Sequence, residues 1–260
     1  MIINICKKIV VLTILGLFVA IPLNAEIKSM SDAVNKAGQQ RMLTQRMLKD
    51  YALIGMNNKY GNPKDDLPKI IILFDENLNE LQAYIKDSKS LKSLENTASL
   101  WTPIKKTLQE EAQKSRVKDL QQDLEKLLTA SHNTTELIAK SSGVTSADIV
   151  NTAGKQRMLS QRMASLYMLK VWDVEDSSFT LKLDSAMKEF DLAQKKLTSS
   201  KLNTDKIKLL LIKSEKAFKY FQMTAKSKSK KYIPSLINRS ANKILSNMDT
   251  ATSLYSSIKG

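Results

Sequence analysis

Two arginines stand in near-identical surroundings: NKAGQQRMLTQRM at residues 35–47 holds Arg41, and NTAGKQRMLSQRM at residues 151–163 holds Arg157, 116 positions later. On a helix turning about 100° per residue, Arg41 falls near the centre of a stripe formed by Val34, Ala37, Gly38, Thr44, Gln45 and Leu48. Arg157 repeats this among Val150, Ala153, Gly154, Ser160, Gln161 and Ala164. A guanidinium cannot neutralise itself by losing a proton, and burying one without a partner costs several kcal/mol. No acidic residue lies between Asp32 and Asp50, and none between Asp148 and Asp173. The chemistry open to such a group is recognition of a flat oxyanion, which the planar fork meets with two parallel hydrogen bonds as it meets a carboxylate. Gly38, Gly154, Ala37 and Thr44 let a second helix come close and leave room for a small ligand. Gln45 and Gln161, one turn on, offer an amide donor. The competing explanation is that each arginine pairs with an Asp or Glu carried by another helix of the bundle.

The other members of the box read differently. Met42, Met47, Met158 and Met163 are packing residues. Arg46 and Arg162, about 140° round the helix from the central arginine, reach a neighbouring helix or solvent, and Gln39, Lys49 and Asp50 lie toward that far side.

The elements that hold these boxes are helices. Seven glycines and five prolines in 260 residues is few, and apolar residues recur at three- and four-residue spacing, as in Leu120, Leu124, Leu127 and Leu128 and, more diluted, Leu209 and Ile212. Breakers divide the chain into eight segments, near 31–60, 66–87, 91–114, 117–141, 147–173, 178–199, 204–230 and 234–258. Ser31 or Asp32 caps the first, Gly61-Asn62-Pro63 ends it, Thr102-Pro103 disturbs the third, Ser141-Ser142-Gly143 closes the fourth, and Thr145 or Ser146 caps the fifth. An offset of 116 also pairs Asp32 with Asp148, Tyr51 with Tyr167 and Phe74-Asp75 with Phe190-Asp191, and one residue of slippage pairs Leu127-Leu128 with Ile244-Leu245. The duplication therefore spans whole units. The expected fold is all-α: two tandem four-helix, up-down bundles at 26–143 and 144–260, each long enough to bury a core, after a signal peptide at 1–25.

That leader is read from Lys7-Lys8, the apolar run Ile9–Ile21 and the small-residue site Leu23-Asn24-Ala25. Cleavage would place the chain in the periplasm; an uncleaved N-terminal anchor is the alternative. Cys6, the single cysteine, would leave with the leader, so disulfides have no part. The single histidine, His132, has no Cys or His companion and is expected to be exposed, and no metal or other cofactor is expected. The 41 Lys and Arg exceed the 26 Asp and Glu, for a net charge of +15, or +13 without Lys7 and Lys8. The lysines are spread along the chain and aromatics are 6%, a solvated helical surface and not a nucleic-acid site.

The box A-G-x-Q-R-M-L-[ST]-Q-R-M resembles the "P-box" in the periplasmic domains of NarX-type nitrate/nitrite sensor kinases, and more closely the N-terminal domain of PilJ-type chemotaxis transducers of type IV pili. The resemblance is specific over the box in each copy and looser over each four-helix unit. It implies that the box lies on the first helix of a bundle, that two such helices meet at a dimer interface, and that their arginines hold one nitrate. Carried across, the ligand arginine maps to Arg41 and Arg157, the box glycine to Gly38 and Gly154, and a lysine before the glycine to Lys36; Thr152 takes that last place in the second copy. A second unit in the chain would replace a second subunit, with 31–60 and 147–173 packed about a pseudo-twofold and Arg41 and Arg157 brought together.

The first functional expectation is an exported sensor-type module for a small oxyanion, nitrate or nitrite, signalling to a membrane receptor or kinase, with a homodimer also open. The second is a structural or interaction protein of the cell envelope, linked to pili or chemoreceptors. An enzyme is not expected: cysteine nucleophile, paired histidines, Gly-rich phosphate loop and ordered carboxylate pair are all missing.

Overall fold

The computed structural model describes residues 27–143, 146–227 and 232–258; the expected leader with Cys6, Lys7 and Lys8, and the capping role of Thr145, lie outside them. Among the described residues all regular structure is helical: α1 Met30–Gly55, α2 Pro63–Tyr84, α3 Ser88–Gln109, α4 Lys114–Ser141, α5 Ala147–Val171, α6 Ser178–Thr198, α7 Asp205–Ala225 and α8 Pro234–Ser256. None of these is long and apolar enough to cross a membrane.

Helix ends follow local chemistry. Ser29, not Ser31 or Asp32, caps α1, accepting from the Asp32 amide at 3.1 Å. α1 stops at Gly55, earlier than Gly61-Asn62-Pro63, because Asn57 turns left-handed (φ 53°) and the Asn57 and Asn58 amides donate to the Ile54 and Leu53 carbonyls at 2.9 Å. The duplicate closes α5: Asp173 has φ 56°, and the Asp173 and Val174 amides bond the Lys170 and Leu169 carbonyls at 3.1 and 3.0 Å. Gly61-Asn62-Pro63 instead opens α2, with Pro63 in its first turn where no amide donor is needed. Gly143, at φ +61°, follows α4 as expected. Pro103 does not interrupt α3, which is held on either side of it by buried Trp101 and Ile104. On α7 the buried face is Ile207, Leu211, Ser214, Phe218 and Phe221; Leu209 and Ile212, read as part of its stripe, are exposed.

In the first unit α1 packs on α2 and α4, and α3 on α4; in the second α5 packs on α6 and α8, and α7 on α8. The same devices hold both. Gln40 Nε2 donates to the Phe74 carbonyl and Gln156 Nε2 to the Phe190 carbonyl, each at 3.1 Å. Phe74 lies against Trp101, and Phe190 against Phe218, at 4.3 Å between ring centres. The Tyr51 hydroxyl accepts from the Gln113 amide at 3.0 Å, and Tyr167 from Ile233 at 3.1 Å.

The units join through α1 and α5, the largest helix contact in the molecule. These two run parallel and in register: Ser31 meets Ser146, Gly38 meets Gly154, Gln45 meets Ser165, and Gly55 lies under the Trp172 ring. Each therefore buries two faces, one in its own bundle and one against its partner, so small and apolar residues run nearly all round it.

This double burial reaches residues placed by the sequence on an open side. Lys49 and Asp50 are 1% and 2% exposed. Lys49 Nζ lies 3.4 Å from Asp50 Oδ1 and donates to Asn242 Oδ1 on α8 at 3.1 Å. Burial pushes the Asp50 carboxyl up to about 7, against the pull of Lys49. Partial burial works to raise Asp66 also, but its hydrogen bond with Asp50 and the fork of Arg46 outweigh this and hold it below the usual carboxylate range. The folded chain thus keeps on Asp50 a proton that the unfolded chain releases above 3.8, so this stability is full below that pH and is lost as pH rises through about 7. Urea unfolding of Asp50→Asn should show the loss removed: its midpoint rises relative to the wild type from about pH 4 to pH 7, whereas parallel curves would place the titration elsewhere.

Candidate functional site

The parallel contact of α1 and α5 brings Arg41 and Arg157 to one place, each 1% exposed. Nη2 of Arg41 and Nη2 of Arg157 stand 3.2 and 3.3 Å from the point where a Gly154 side chain would begin, and a Cβ on Gly38 would meet the same two nitrogens at 3.2 and 3.5 Å. Bare backbone at the crossing is what admits two guanidiniums between the helices.

Their partners are related by the duplication but differ in kind. Arg157 Nη1 donates to Asp249 Oδ1 on α8 at 2.7 Å, and Nη2 donates to the Asn35 carbonyl at 3.1 Å and Asn35 Oδ1 at 2.8 Å. Arg41 Nη1 meets His132 Nδ1 on α4 at 3.2 Å, and Nη2 donates to the Asn151 carbonyl at 3.3 Å. Asn35 and Asn151 are 116 apart, and His132 and Asp249 are 117 apart, the slipped register of the last helices. Asn151 turns its amide to Glu136 Oε1 at 2.6 Å, so its side chain is not on the arginine. One guanidinium is thus neutralised by a carboxylate of the chain and the other meets an imidazole in the same place. Among the described residues no ion pair forms on Arg41, and Nε of both arginines is buried without an acceptor. Burial, then the charge of Arg157, lowers the Arg41 pKa to about 10, against the opposing field of Glu136. Burial and then Arg41 also lower His132, leaving Nδ1 a neutral acceptor.

The remaining expected site residues lie elsewhere. Lys36 is ion-paired with Glu80 on α2, away from the arginines, because α2 covers that side of α1. Gln45 is wholly buried one turn along and accepts from Ser165 Oγ at 3.3 Å; Gln161 donates to Ser160 Oγ at 3.3 Å and the Ala241 carbonyl at 3.4 Å. Both glutamines join helices and add no donor to the guanidiniums. Arg46 forks onto Asp66 of α2 at 2.6–3.0 Å and Arg162 meets Glu125 of α4 at 2.9 Å, each on a neighbouring helix. The four box methionines are buried. His132, expected in solvent, is half-buried on Arg41. Its signal was present in the slipped register, which sets it opposite Asp249; Asn35 and Asn151 were visible as the first letter of each box.

Beside the arginine pair, on the seam between the units, lies a groove of about 350 Å³ lined by α4, α5 and α6, with Arg41 and His132 among its walls. A second, of about 370 Å³, lies between α1, α2 and α8 around Asp249.

No match was found among curated proteins or among solved structures. The family described as the type IV pili methyl-accepting chemotaxis transducer N-terminal domain, PilJ, matches residues 23–135 and again 138–215. Each match takes in one arginine box, the first running from α1 into α4 and the second from the end of α4 to the middle of α7, and with most of its length matched the chain belongs to the PilJ family of chemotaxis-transducer N-terminal domains.

Proposed function

We propose that the chain is an exported sensory module that binds a small planar oxyanion, nitrate or nitrite by the resemblance of its box, with Arg41 as the receptor group. The observation that carries this reading is the inequality of the two arginines. Arg157 has its counter-charge in Asp249, whereas Arg41, equally buried and beside Arg157, has an imidazole and a carbonyl. An anion on Arg41 would supply the missing charge and relieve its repulsion with Arg157. The contact of α1 with α5 would tighten, and that contact joins the two bundles. The signal would pass by helix packing to a membrane receptor or kinase. The module transforms nothing: it holds the anion and reports it.

Sharing of one anion equally between the arginines is not part of this reading, since Asp249 already occupies Arg157. That ion pair supports a second reading, in which the box is a helix-pairing device of an envelope protein. Calorimetry separates the two. Nitrate, nitrite, formate or acetate should bind the wild-type protein, and Arg41→Met should weaken that binding about 10- to 100-fold, the worth of a charge-assisted pair of hydrogen bonds. Absence of binding by all four anions would leave the pairing device as the function.

A further inference from the structure

The two seam grooves are copies of one another with opposite contents. Met158, Leu128, Thr129, Arg162 and His132 of the first correspond to Met42, Leu245, Ser246, Arg46 and Asp249 of the second, at offsets of 116 or 117. In the second groove the chain supplies its own carboxylate: Asp249 reaches Arg157, and Arg46 is taken by Asp66. In the first groove the matching residue is neutral. Its cations are Arg41, Lys155, Arg162 and Lys182, against Glu125 and Glu189. The glutamates account for Arg162 at 2.9 Å and Lys155 at 3.0 Å. Among the described residues Arg41 and Lys182 are left without an ion pair, Lys182 with its ammonium 5.7 Å from the Phe179 ring centre.

The groove is also larger than an inorganic oxyanion needs. About 350 Å³ falls in the range of sites for organic ligands, and Leu128, Met158 and Ala186 give it an apolar wall. We infer that the α4–α5–α6 groove binds an organic carboxylate, its carboxylate on Arg41 as Asp249 sits on Arg157, and its hydrocarbon body along Leu128, Met158 and Ala186. This rests on the reading of Arg41 as an anion receptor and names the class of anion. Lys182, at the side of the groove, favours acids over amines or zwitterions of the same length. The chain's own Arg157–Asp249 pair shows the geometry the ligand reproduces, and His132, a neutral acceptor, is what it displaces from Arg41 Nη1.

The test is an affinity series by calorimetry with acetate, butyrate and hexanoate, nitrate serving as the body-less control. Affinity should rise about three- to fourfold for each methylene laid on the apolar wall. His132→Asp, which puts a tethered carboxylate on Arg41, should abolish binding of every acid and of nitrate, while the variant melts no lower than the wild type. Ser185→Trp, an exposed rim position, should block hexanoate and spare acetate and nitrate. A flat series with Arg41-dependent binding of nitrate and acetate would overturn the organic-acid site and leave the oxyanion reading standing. A rising series that survives both His132→Asp and Ser185→Trp would place the acids outside this groove and overturn it as well. Silence from every anion would remove both.

Discussion

Replacing Arg41 with methionine should raise the melting temperature. The side chain is fully buried, its nearest polar contacts are neutral, and the charge of Arg157 lies across the helix crossing. Exchanging a buried ion for a hydrophobe of similar volume is neutral to stabilising by about 1–4 kcal/mol, and here no carboxylate of the chain is left behind. The upper half of that range applies, because Arg157 also loses a repulsive neighbour, and it corresponds to a rise of roughly 4–16 °C for a chain of this size. Arg157→Met should do the reverse, since it strands Asp249 and the Asn35 acceptors that the guanidinium now satisfies. Differential scanning calorimetry on the two variants gives the signs. Arg41→Met melting below the wild type would mean that the protein already satisfies this cation.

Gly154→Leu should be the most damaging single change in the box. A Cβ on Gly38 already stands only 4.0 Å from the Gly154 Cα, and one on Gly154 stands 3.2 Å from Arg41 Nη2. Alanine at either place trades a tight contact against about 1 kcal/mol of helix propensity, so its net effect is small. Leucine adds three more carbons where two guanidiniums and the facing backbone leave no room. It forces α1 and α5 apart along the contact that joins the bundles, at a cost on the order of 3 kcal/mol. Urea unfolding should show that loss, and an unchanged midpoint would mean that the helices do not approach here.

The helical class, the eight segments and the duplication were all legible, because breakers and a repeated period speak for themselves in a chain so poor in glycine and proline. The pairing of α1 with α5 could be inferred because each box puts small residues around an arginine. What failed is what depends on the neighbour. Lys49 and Asp50 read as a polar side of α1 until α8 and α2 are seen to cover them. Lys36, Gln45 and Gln161 share the box with the arginines, yet a helical wheel does not say which helix each position meets, and they meet α2, α5 and α8. Leu209 and Ile212 fit an apolar spacing on a face that stays exposed. His132 was passed over as a lone histidine in a polar stretch; only its register with Asp249 shows that both positions answer an arginine.

Arg41 is kept inside this protein as a cation that no carboxylate among the described residues meets in an ion pair. Thermal melting of the wild type and of Arg41→Met, followed side by side as nitrate or acetate is added, tests this most directly. Binding to the folded state alone raises the wild-type curve with anion concentration, leaves the variant where it began, and closes the gap between them. Two curves that keep a constant separation at every concentration would contradict it.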